Sequence, residues 1–111
     1  MAVNTRNIIP SKTAENTQTT QYTSVNVTTV IDKFTATNYS ATAATISVNL
    51  VALSGSAGND NLIVKTKTLQ PSETYTFPEL VGQVIASGGF ISTIAGTATA
   101  INIRASGREI S

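Results

Sequence analysis

The chain has 111 residues and a mass of 11.5 kDa, room for one domain. Only 12% of its residues are charged, and 7 basic against 6 acidic side chains leave a net charge of +1, which gives no electrostatic footprint for nucleic acid or an anionic membrane. With no His, Cys or Trp, imidazole and thiolate catalysis, zinc fingers, iron–sulfur ligation and disulfide staples are excluded.

The remaining composition points to strands. Thr, Ser and Asn number 19, 11 and 9, and Ile plus Val number 20 against 5 Leu. β-Branched side chains lose rotamer freedom in helices and suit a pleated surface, so an all-β protein is expected. The N-terminus, MAVNTRNIIP, lacks the apolar run of a secretory signal. No apolar stretch approaches the length needed to span a bilayer, so synthesis in the cytoplasm is expected.

Residues 1–24 carry few large apolar side chains: Val3, Ile8, Ile9 and Tyr22. SKTAENTQTT, Ser11 to Thr20, has none. A segment this poor in apolar surface does not offset its own ordering entropy, so an extended polar arm is expected over 1–24, ahead of a β-sandwich domain at 25–111. Val3, Ile8 and Ile9 are its candidate assembly contacts, set to pair as a short strand with the sheet edge of a neighbour.

From Val25 the pattern is strand after strand. VNVTTVIDKFTATN (Val25 to Asn38) places Val30, Phe34 and Ala36 on one parity, with Asp32 among them. TISVNLVAL (Thr45 to Leu53) alternates, with Ile46, Val48 and Leu50 on one face and Ser47 and Asn49 on the other. The Gly/Ser/Asn loop Ser54 to Asn61 is a turn signal. LIVKTKTL (Leu62 to Leu69) is the next strand, with Lys65 and Lys67 on a wet face. A turn at Gln70–Ser72 leads to the short strand Glu73 to Phe77, and Pro78 to Gly82 suits a single helical turn. Ser87 to Gly89 turns into Phe90 to Ala95, which is expected to pair with Ala100 to Ala105 across Gly96 to Thr99. Seven or eight short strands at this spacing predict a single antiparallel sandwich, jelly-roll or Ig-like. Its expected core is Ile31, Phe34, Ile46, Val48, Leu50, Tyr75, Phe77, Phe90, Ile94, Ile101 and Ile103.

The candidate chemistry is thin. Any two of Glu15, Asp32, Asp60, Glu73, Glu79 and Glu109 are a nominal glycosidase pair, but with no His or Trp and only 3 Tyr and 3 Phe a sugar-binding groove is hard to build. Asp60 sits in a Gly/Asn loop that lacks the several carboxylates of a calcium site, and Asx residues there favour a tight turn. Lys33, Lys65, Lys67, Arg104 and Arg108 are read as solvated faces. No Ser or Thr has a candidate base beside it. Asp32 has two readings: buried among Val30 and Phe34 and paired with Arg104, or turned outward by a β-bulge. No catalytic residue, cofactor or metal site is therefore assigned.

The stretch VIDKFTATNYSATAATISVNLVAL (Val30 to Leu53), the Gly/Asn loop after it, LQPSE (Leu69 to Glu73), PELVGQVI (Pro78 to Ile85) and ASGREI (Ala105 to Ile110) resemble a group of small tailed-phage and prophage virion proteins. In that group a strand ending in T-x-N precedes a Thr/Val/Ala-rich strand, a Glu–Thr turn, an L-x-G-x-x-L segment and a final S-G strand. This chain departs from the group's acidic Gly-Asp turn with Gly88-Gly89. The resemblance implies a non-enzymatic β-sandwich structural protein of the virion, most specifically a capsid decoration or cementing protein. A neck or tail component, and a receptor- or carbohydrate-binding module, are the alternatives. Expected partners are other virion proteins and further copies of the chain, a trimer being one arrangement, with no nucleic acid and no membrane.

Overall fold

The computed structural model describes residues 2–111. They form nine strands: β1 (Val3–Thr13), β2 (Thr19–Thr23), β3 (Thr28–Asn38), β4 (Ala44–Val51), β5 (Leu62–Leu69), β6 (Thr74–Tyr75), β7 (Val84–Ile85), β8 (Phe90–Ala95) and β9 (Ile101–Ile110). Two antiparallel sheets face each other: β1-β9-β3-β6, with β7 also on β3, and β2-β8-β4-β5. The all-β sandwich expected from composition is the observed fold.

β9 runs along the whole of one side of β3, so β6 and β7 share the other side as one interrupted strand. Hydrogen bonds Gly82 N to Ile31 O and Ile31 N to Gln83 O carry the ladder through the interruption. Counted that way, the strand order is that of a jelly roll rather than an Ig domain. Its logic is a single long hairpin rolled up. Val3 pairs with Ile110, Thr19 with Thr93, Ala36 with Tyr75 and Ala44 with Leu69, all about equidistant from a fold point near Ser56 and Ala57.

The N-terminal segment departs from expectation. It is no arm: β1 is paired along its length with β9, and β2 with β8. Ile9 is fully buried and Ile8 almost so, while Val3 stays exposed. Strict alternation buries only one of two adjacent isoleucines. The register of β1 slips between Arg6 and Ile9 and again between Ile9 and Lys12, and this bulging turns both inward. A segment poor in apolar residues is thus ordered by backbone pairing to a strand far away in sequence.

A bulge also decides Asp32. The register of β3 on β9 shifts between Ile31 and Lys33, so Ile31 and Phe34 both point inward and Val30 outward. Asp32 is exposed and accepts two hydrogen bonds from Arg108 Nε and one from Nη2 at 3.0–3.1 Å. Its partner is Arg108, not Arg104. Opposite the bulge sits Gly107, where a Cβ would lie 2.3 Å from Val30 O; only glycine admits the backbone so close.

β8 and β9 do not form a hairpin. β8 joins β2 and β4, β9 joins β1 and β3, and Gly96–Thr99 crosses from sheet to sheet. Ala95 N donates to Glu15 O and Ala14 N to Ile101 O, so the β1–β2 and β8–β9 crossings run side by side. Pro78–Gly82 forms turns rather than a helical turn.

Of the expected core, Ile31, Phe34, Ile46, Val48, Phe77, Ile101 and Ile103 are buried, whereas Leu50, Tyr75, Phe90 and Ile94 are half-buried. Ile9, Leu69, Leu80 and Ile91 complete the interior. Phe77 meets the rings of Phe34 and Tyr75 edge to face at 4.8 and 4.7 Å. This packing holds Phe77 at φ 45°, a conformation costly for a bulky side chain.

Candidate functional site

Five of the six carboxylates are engaged locally, at separate places in the fold, and Asp60 stands in the loop after β4. Glu15 accepts from Lys12 Nζ and Gln21 Nε2 at 2.9 Å, and the Lys12 hydrogen bond leads in holding its pKa below the ordinary value. Glu73 takes the Gln70 amide at 2.7 Å. Glu79 receives the Tyr75 hydroxyl, which lowers the carboxyl pKa and raises that of the phenol. Asp32 is held by Arg108 as described. Among the described residues no three His, Cys, Asp or Glu side chains gather where they could hold a metal ion.

The loop around Asp60 is organised by its neighbour Asn61. Asn61 Oδ1 accepts from Asn49 Nδ2 at 2.7 Å and from the Gly58 amide at 3.1 Å, while its Nδ2 donates to Ser56 O at 2.9 Å. These bonds are those of a side chain closing a turn. They extend a polar seam on the outer face of the second sheet, where Gln18 Nε2 donates to Ser92 Oγ at 2.7 Å. Ser47, Asn49 and Ser92 are nearly buried beneath this cover. Sequence parity shows Ser47 and Asn49 but neither Ser92, which shares the parity of Phe90 and Ile94, nor the loop that covers them.

A second polar cluster lies between the sheets beside the chain termini. The Tyr22 hydroxyl donates to Glu109 and shares a 2.7 Å hydrogen bond with Thr29 Oγ1. Ser24 Oγ lies 2.9 Å from the same Thr29 oxygen, and Arg6 Nε stands 3.6 Å from Glu109. Burial, followed by the Glu109 hydrogen bond, raises the Tyr22 pKa. The arrangement ties β2 to β3 and β9 and holds no nucleophile with an adjacent free base.

The assembly contacts expected from sequence separate in the structure. Ile8 and Ile9 are consumed by the protein's own core; Val3 alone is available, at 55% exposure. Nor do the sheet edges invite strand addition. β1 is broken by two bulges and Pro10, and β2 is 5 residues long with a register slip. β5 carries Lys65, Lys67 and a bulge in which Thr66 has φ 46°, and β6 and β7 have 2 residues each.

The exposed apolar surface concentrates instead at the end of the sandwich that carries the termini. Leu53, Val25 and Val84 are 69%, 66% and 60% exposed. Leu53, just beyond β4, rests on Gly88, where a Cβ would lie 2.4 Å from its Cδ1. Val25 is tethered beside it, because Ser24 exchanges backbone hydrogen bonds with Gly88 and Gly89 and the Asn26 amide donates to Ser87 Oγ. Between Leu53 and Val84 runs a groove of about 390 Å³ whose lining includes Val51, Ala52, Ile85 and Ala86 and no charged side chain.

These features define a β-sandwich with jelly-roll strand order. Compared with protein-family models, curated proteins and solved structures, the chain matches none.

Proposed function

We propose that the protein is a non-enzymatic structural component of a tailed-phage virion, most specifically a capsid decoration protein that stabilises the shell. The observation that carries the reading is the rolled-hairpin strand order, an architecture recurrent in viral capsid, lectin and cupin domains. The sequence motifs that resemble small virion proteins favour the capsid member of that set. Two features support this choice. Every carboxylate is occupied in a local contact or isolated in a loop, and the aromatic side chains do not form an exposed platform of the kind a sugar stacks on. Tyr75 and Phe77 pack on one another, and the Tyr39 hydroxyl is bonded to Thr13 at 3.1 Å. Small sandwiches stabilise shells by covering joints between capsomers in many copies, where multivalency substitutes for strong single contacts.

The test is to purify particles from cells that carry the gene, identify the chain in them by mass spectrometry, and locate it by cryo-electron microscopy. Density on the shell at a copy number matching the capsid lattice is the expected result. A few copies at one vertex assign it to the neck or tail instead. Its absence from particles overturns the virion reading.

A further inference from the structure

We propose that the apolar patch at this end of the sandwich, formed by Leu53, Val84 and Val25, is a self-association surface whose occupant is a second copy of this chain. Shape is the first argument. Leu53 is a projecting knob seated on Gly88, and beside it lies a groove of about 390 Å³ walled by Val84 and Ala86. One patch thus offers both a knob and a hole, and a two-fold contact places each Leu53 in the partner's groove, the condition for an isologous interface.

Charge is the second argument. An isologous contact sets a patch against itself, so a patch of one sign repels its mate. This groove has no charged lining residue, and the whole chain carries only +1. A surface built for a charged partner would present matching groups. The alternative route to self-association, pairing edge to edge, is obstructed by the bulges, lysines and short strands already described.

Area sets the strength. At these exposures the three side chains present about 300 Å² of apolar surface, less than half of the roughly 800 Å² per partner in a standard interface. The contact is accordingly weak between free molecules. It becomes effective where copies are held at high local concentration. The inference does not depend on the virion reading, since it concerns the isolated chain.

Sedimentation velocity on the full chain from about 5 µM to about 1 mM tests it. The expected result is a mass that climbs from 11.5 kDa toward twice that value. Leu53→Ser and Val84→Glu, on separate elements, should each weaken association at least tenfold with an unchanged circular dichroism spectrum. Tyr39→Ser, at the opposite end, should leave it intact. Hydrogen exchange on the unmodified chain gives a readout free of substitution: amides of 51–54 and 83–88 should gain protection at high concentration. A monomer throughout the range, or a dimer indifferent to both Leu53→Ser and Val84→Glu with no added protection at this end, overturns the proposal.

Discussion

Ile9→Ala separates a core strand from a loose arm more cleanly than any truncation. Ile9 has no exposed surface and packs in the same interior cluster as Ile31 and Phe34. The substitution removes three carbons, about 2.4 kcal/mol at about 0.8 kcal/mol per buried methylene. The surrounding strands are tied into ladders and collapse only partly, so the cavity adds to that loss and about 3–4 kcal/mol is expected. A domain of this size has about 5–15 kcal/mol in total, so the melting temperature should fall by more than about 10 °C. Urea unfolding followed by circular dichroism, at low protein concentration so that self-association does not contribute, is the assay. Ile31→Ala, equally buried at the centre of β3, is the benchmark and should lose a similar amount. A loss below about 0.5 kcal/mol for Ile9→Ala beside a full loss for Ile31→Ala would falsify the placement of β1 in the sandwich.

Two glycines should respond differently to alanine. Gly107→Ala drives a Cβ into the Val30 carbonyl at 2.3 Å and should cost several kcal/mol or prevent folding, whereas Gly82→Ala, at φ 85° with open space around it, should cost about 1 kcal/mol of backbone strain in the same urea titration. The Tyr22 pKa is raised above its ordinary 10.0, chiefly by burial, so the stability it contributes is whole below that pH and is lost as pH climbs through the folded value; Tyr22→Phe should make this alkaline arm of a stability–pH curve shallower. Asp32→Ala breaks a well-aligned but exposed pair with Arg108 and should change stability by less than about 1 kcal/mol; a larger loss would show that the bulge depends on it.

The strand content of 25–111 and seven of the eleven expected core positions are legible in the sequence because they follow from β-branched composition and period-two alternation, and the Gly/Ser/Asn and Pro signals mark the turns near 54, 72 and 88. What is not legible arises where a bulge breaks that period. Ile8 and Ile9 look like a strand with one face too many, and Val30 and Phe34 look like one face, until an extra residue in β1 and another in β3 reset the parity. In β8, Phe90 and Ile94 share one parity and look like the inner face; that face belongs instead to Ile91, Thr93 and Ala95, paired with Leu50, Val48 and Ile46. The pairing of β8 with β9 is the natural guess from a short Gly-containing link, and sheet choice has no local signature in such a link. The apolar end escapes notice for the same reason. Val25, Leu53 and Val84 stand far apart in the chain, and only the rolled hairpin brings them together.

That rolled hairpin also makes the molecule nearly closed as a loop of chain. Ala2 and Ser111 exchange backbone hydrogen bonds, so the two ends of the described chain lie side by side as the outermost rung of the ladder. A short linker across them, with a new break in the exposed Ser54–Asn59 loop, yields a circular permutant that keeps every strand pair while inverting their separations along the chain. β1 and β9, the most distant partners in the native order, become neighbours joined by a turn. β4 and β5, neighbours in the native order, become the last to meet. Loop closure dominates the folding rate of such β topologies, so the order in which the two sheets assemble is written in the position of the break and is open to rearrangement without altering the folded surface.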